Sequence, residues 1–406
     1  MKQVLMPVVF FTAILLTQSC RNNNSFGRHV FSDDGNKKTT IRINDESGSI
    51  KIECKGDVRF TDDDKAIAFI SDGGYVRYTR DGEKLVIEPR DGGMVYKVNS
   101  GSVMTELDEN GKQFLASAVK IMINQGIDAQ GRVQRSYAQG GSQRVLEDVK
   151  ELQSDYIRRL YLEYLFSKNT MTKNELLIAA QQISTLIGSD YDKSQLLEKN
   201  AKVFYTDSET LQAYLVALKS INSDYDKSNV LKSILRQQLN TEQFVYVISM
   251  VENVNSDYDK SNAIKEGIQQ RKLSAGEAKA TLKVIKTIQS DYDKSGVLKE
   301  MIQRTENSGE ILSDLIPAIE SVQSDYDKAN VYKDLLDQNF AGEDQWIAII
   351  NSISKISSEY EKANVLVKVA PKMSQTDNVR SAYGTAAKTL TSEHEYSNVM
   401  KAVDWK

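Results

Sequence analysis

Pairs of carboxylates two residues apart recur along this chain in the pentapeptide Ser-Asp-Tyr-Asp-Lys, whose tyrosines are Tyr191, Tyr225, Tyr258, Tyr292 and Tyr326. Such pairs suit two kinds of chemistry, oxygen ligation of a hard cation such as calcium and general acid–base work. An EF-hand-type calcium loop needs alternating oxygen ligands, a glycine at its sharp turn and a distal bidentate glutamate. No glycine follows the motif at the required place. A catalytic acid pair belongs to one cleft, whereas these pairs are repeated. The serine instead suits a helix N-cap, and acids at N1 and N3 complement the positive end of the helix dipole.

Other chemistry is sparse. The histidines are His29 and His394. His394-Glu395 resembles half of a zinc-protease motif, but Asn398 stands where the second histidine belongs. No dinucleotide fingerprint, phosphate-binding loop or nucleophile elbow occurs. No catalytic, cofactor-binding or metal-ligating residue is assigned, and no cofactor is expected. Formal net charge is −4, from 52 Lys+Arg against 56 Asp+Glu. That balance lacks the basic stripe that nucleic acid requires.

The elements that would position the motif follow from its period. Degenerate copies carry Tyr156 before the series and Tyr360 and His394 after it, and every step is 33, 34 or 35 residues. A fixed period in this range signals stacked helical units. Before Tyr225 stand Leu211, Tyr214, Leu215, Leu218 and Ile221; after it stand Val230, Leu231, Ile234 and Leu235. Both sets follow a helical stripe. Each repeat therefore reads as helix A, a very short turn and helix B, with the motif opening helix B. Thr241, Ser274 and Ser308 are candidate caps of helix A. The tyrosine, at N2, is expected to lay its ring between stacked repeats.

The N-terminus differs. Met1-Lys2-Gln3 precedes the mostly apolar run Val4–Leu16, then Thr17-Gln18-Ser19-Cys20. This pattern predicts a signal peptide over 1–19, too short for a comfortable membrane span. A cysteine after a small residue resembles a lipoprotein lipobox of the relaxed kind found in Bacteroidetes, which implies acylation of Cys20 and anchoring to the envelope of a Gram-negative bacterium, at its outer membrane. Residues 20–37 are expected to be a flexible tether. With only Cys20 and Cys54 present, acylation would leave no disulfide framework. Cys54 alternates with Ile50 and Ile52, as on a buried strand face.

Between residues 38 and 100 the apolar period falls to two, in runs such as Leu85 with Ile87 and Tyr96 with Val98. Turn signals such as Asp81-Gly82 and Asp91-Gly92 separate the runs, which predicts a small antiparallel β-domain. Connecting helices are expected over 101–141, hinged at Gly140-Gly141, and the α-solenoid over 142–406. The fold class is thus α+β, a small antiparallel β-domain followed by an all-α solenoid of helix-pair repeats.

Taken with Lys84–Val98, Asp108–Lys112 and Gln139–Gly141, the Ser-Asp-Tyr-Asp-Lys series resembles a group of bacterial envelope proteins that join a small β-domain to Ser-Asp-Tyr-(Asp/Glu)-Lys helical repeats. Some of these stand beside membrane metallopeptidases of the β-lactam-sensor type. The resemblance implies architecture rather than activity. The expected role is binding or scaffolding of a protein or peptide, with no nucleic-acid partner and membrane attachment through the N-terminal lipid only. A sensor or regulatory subunit is the alternative.

Overall fold

The change of period near residue 100 marks a change of architecture. The computed structural model describes residues 30–32, 38–45, 48–99, 101–269 and 271–403. Cys20 and His29, like the expected signal peptide, lie outside them. The chain divides into two units, 1–128 and 129–406.

In the first unit, β1 (Val30–Ser32), β2 (Lys38–Asp45), β3 (Gly48–Lys55), β6 (Tyr75–Arg80), β7 (Glu83–Arg90) and β8 (Gly93–Val98) form one antiparallel sheet in the order β1-β2-β3-β6-β7-β8. A separate hairpin pairs β4 (Val58–Phe60) with β5 (Ile67–Ile70). Strand β1 falls inside the segment expected to be tether: Val30–Ser32 pairs in register with Lys38–Thr40. Asp81 and Gly82 both take positive φ, 49° and 89°, as do Asp91 and Gly92 at 50° and 80°. They close two-residue hairpins between Arg80 and Glu83 and between Arg90 and Gly93. Ile41, Ile52, Tyr78, Leu85 and Ile87 are fully buried. Helix α1 (Glu109–Asn124), capped by Asp108, buries Leu115, Val119 and Met122, and its Phe114 ring lies 4.9 Å from that of Tyr78. Cys54 is buried, and burial pushes its thiol up to about 12, so it serves as a small hydrophobe.

The second unit is all-helical. The A helices are α2 (Ala129–Glu151), α4 (Lys173–Leu186), α6 (Ser208–Lys219), α8 (Thr241–Ser249), α10 (Ala275–Ile285), α12 (Leu312–Glu320), α14 (Glu343–Ile353) and α16 (Asp377–Ala387). Alternating with them are the B helices α3 (Asp155–Lys168), α5 (Asp190–Phe204), α7 (Asp224–Leu235), α9 (Asp257–Ile268), α11 (Asp291–Arg304), α13 (Asp325–Leu335), α15 (Glu359–Val369) and α17 (Glu393–Lys401). Each B helix packs on the next, α3 through α17, and A helices pack likewise, α4 on α6 and α14 on α16 among them. This is the stacked solenoid that the 34-residue period requires. Helix α2 begins inside the segment assigned to connecting helices and is kinked at Gly140 and Gly141, whose φ/ψ are −152°/21° and 61°/−153°. Two A-helix caps shift by one residue from the sequence expectation. Asn240 caps α8 in place of Thr241, and Asn307 caps the 3₁₀ turn Ser308–Ile311 before α12. Ser274 caps α10 as expected, with Glu277 completing a capping box.

Candidate binding face

The motif's serine behaves as its position predicts. Ser189, Ser223, Ser256, Ser290 and Ser324 each accept the N3 backbone N–H through the side-chain oxygen, at 3.2–3.3 Å. The other four positions divide the work in a way the sequence did not disclose.

The first acid reaches out of its own helix. One oxygen of Asp257 accepts the backbone N–H groups of Gln289 and Ser290 at 2.9 and 2.7 Å, where the next B helix begins. Asp155 does the same with Gly188 and Ser189 and Asp190 with Asn222 and Ser223, while Asp291 uses one oxygen for Gln323 and the other for Ser324. Glu359 takes the place of aspartate for Thr391 and Ser392. The expectation that both acids act within their own helix is therefore corrected. A carboxylate at N1 lies level with the free N–H groups of the neighbouring corner and satisfies donors that the next helix cannot.

The lysine holds the same corner by its opposite pole. Lys193, Lys227, Lys260, Lys294 and Lys362 are buried. Lys193 Nζ donates to the Ser220 carbonyl at 2.8 Å, and Lys227 Nζ to the Asn253 carbonyl at 2.9 Å. Lys260 and Lys362 donate to the hydroxyls of Thr287 and Thr389. Each acceptor stands at the end of the next A helix, where carbonyls lack partners and the dipole favours a cation. Desolvation lowers the Lys193 pKa, the cost of placing an ammonium there. The second acid points backward. Asp226 accepts from the Ser194 hydroxyl and Asp192 from Arg159 Nε, both in the preceding repeat.

The tyrosines do not pack between repeats, which reverses the sequence expectation. Tyr156, Tyr191, Tyr225, Tyr258, Tyr292, Tyr326 and Tyr360 are 48% to 79% exposed. The physical reason is occupancy: the first acid and the lysine of the same motif already fill the gap between corners. The ring at N2 is left outside. A signal for this was present in the chain. Tyr225 precedes Val230, Leu231, Ile234 and Leu235 by five to ten residues, which at about 100° per residue sets it roughly opposite that apolar stripe.

The result is a row of seven exposed tyrosines along one edge of the solenoid. Exposed polar side chains stand three positions before six of them: Gln153, Asn222, Asn255, Gln289, Gln323 and Ser357. His394 continues the row at N2 of α17, exposed, its Nε2 3.0 Å from Asn398 Nδ2. Asn398 thus lies beside His394 where a zinc motif would place its second histidine. Among the described residues no group of three His, Cys, Asp or Glu side chains is placed to hold a metal ion. No helix among them is long and apolar enough to cross a membrane. Comparisons with protein-family models, curated proteins and solved structures find no match to this chain.

Proposed function

We propose that this chain is a binding scaffold of the cell envelope whose solenoid holds an extended protein or peptide along the tyrosine row. The observation that carries the reading is the exposure of those rings. A side chain so apolar, kept at one position through seven repeats and contributing little to packing, is accounted for by a partner that covers it. Repetition of the same small site favours a ligand that crosses several repeats, since linked weak contacts gain avidity. Attachment to the membrane through a lipid on Cys20 rests on the apolar run Val4–Leu16 and the cysteine behind it. Cys20→Ser is expected to move the protein out of the membrane fraction.

The test of the binding face is partner capture from envelope extract by the full chain, compared with a triple Tyr225→Ala, Tyr258→Ala, Tyr292→Ala variant. Loss of the captured partner in the variant is expected, and equal capture by both overturns the assignment. The role as sensor or regulatory subunit remains the second reading, from the resemblance alone; a membrane protease or receptor as the captured partner would favour it.

A further inference from the structure

The tyrosine row constrains the geometry of what binds it. Successive rings occupy the same N2 position on successive, directly packed B helices. Their spacing therefore follows helix–helix packing, roughly 8–10 Å. A chain that meets every tyrosine in the same way must repeat at that distance. An α-helix repeats at about 5.4 Å per turn. The two-residue period of a β-strand gives about 6.6 Å. A polyproline II helix has three residues per turn and rises ~3.1 Å per residue, so it repeats at about 9.3 Å. Of the regular polypeptide conformations, only the last keeps step with the repeats.

The chemistry of the edge points the same way. Exposed aromatic faces with nearby hydrogen-bonding groups suit proline rings and the solvated carbonyls of a polyproline II backbone. Six of the seven tyrosines have an exposed amide or hydroxyl side chain three positions before them, such as Asn222 before Tyr225 and Gln323 before Tyr326. Two acids flank the tyrosine in each motif, while the motif lysine is buried in most copies. The first acid is taken up by backbone N–H groups of the next corner, so the ring faces themselves are the surface left to a ligand. The chain's own four prolines, Pro7, Pro89, Pro317 and Pro371, are scattered, so the segment belongs to another protein.

We infer that the solenoid edge binds a proline-rich segment in the polyproline II conformation, one three-residue turn to each repeat. This rests on the reading that the tyrosine row is the binding face. The test is fluorescence anisotropy of the full chain with a labelled peptide of tandem Pro-Pro-Lys units, one for each of the seven tyrosines. A Gly-Ser-Lys peptide of equal length and charge is the comparison. The Pro-Pro-Lys peptide should bind about tenfold tighter or more, because it is pre-ordered, and should tighten as units are added. The triple Tyr225→Ala, Tyr258→Ala, Tyr292→Ala variant should lose that binding while melting at the wild-type temperature. Equal binding of the flexible peptide, undiminished binding by the variant, or no binding at all overturns the inference. A β-1,4-linked amino-sugar oligomer that binds wild type but not the variant, with the proline peptide silent, overturns the polyproline ligand alone. The row would then stand as the face for a glycan.

Discussion

Adjacent residues of one motif have opposite parts, and substitution should separate them. Tyr258 is exposed, so Tyr258→Ala should change stability by no more than about 0.5 kcal/mol. Asp257→Ala removes an acceptor shared by two backbone N–H groups, and hydrogen bonds to a charged group contribute about 1.5–3 kcal/mol each. Ser256→Ala removes one cap, worth about 0.5–2 kcal/mol. Urea unfolding should therefore rank Asp257→Ala above Ser256→Ala above Tyr258→Ala; a tyrosine variant as damaging as the aspartate would return the ring to the interior. The serine cap was legible because capping is local. The reach of Asp257 was not, because its partners lie 32 and 33 residues away and are main chain, which leaves no side-chain signature. Acidity offers a second test. Hydrogen bonds from the Thr391 hydroxyl and from the backbone N–H groups of Ser392 and Thr391 hold the Glu359 carboxyl below its ordinary value of 4.5. A carboxyl lowered on folding stabilises fully above its unfolded value, and that contribution fades as pH falls through the folded one. Below 4.5 the wild type should thus lose melting temperature faster than Glu359→Gln. Parallel curves would mean that this clasp contributes nothing.

At the scale of elements, the chain's hydrophobic periods describe most of what is seen. The stripe Leu211, Tyr214, Leu215 and Leu218 is the buried face of α6, and Val230, Leu231, Ile234 and Leu235 that of α7. The Asp-Gly pairs close hairpins because both residues accept positive φ there. What escaped notice is β1, whose three residues are too few to show a period. The Gly140-Gly141 pair was legible as a break, and its geometry says why glycine is needed. Gly141 has φ 61° with ψ −153°, a region essentially confined to glycine. Gly141→Ala should cost about 1–3 kcal/mol although nothing crowds a Cβ at that position. Gly141→Ala melting like the wild type would show that α2 can straighten at this point.

At the scale of the whole molecule, the helical unit is built by one rule applied repeatedly, so its stability should be close to a sum over units and junctions. Excising one period, such as residues 225–257, joins Ser223-Asp224 to Tyr258-Asp259-Lys260 and so restores one intact motif. The shortened chain should fold, with its helical signal reduced by one unit; collapse of the whole helical signal would show that the junctions are not interchangeable. The clasps also have a direction. The first acid of a motif holds the corner that follows, as Asp257 holds Gln289 and Ser290, and the lysine braces the A helix that leads into that corner, as Lys193 does at Ser220. Pulled from its C-terminus, the array sheds units whose departure leaves the preceding corners still held by the acids before them. A pull from the other end strips the holder first and leaves the next corner open. Stretched between two handles, this chain should behave as a one-way zipper, yielding at lower force from one end than from the other.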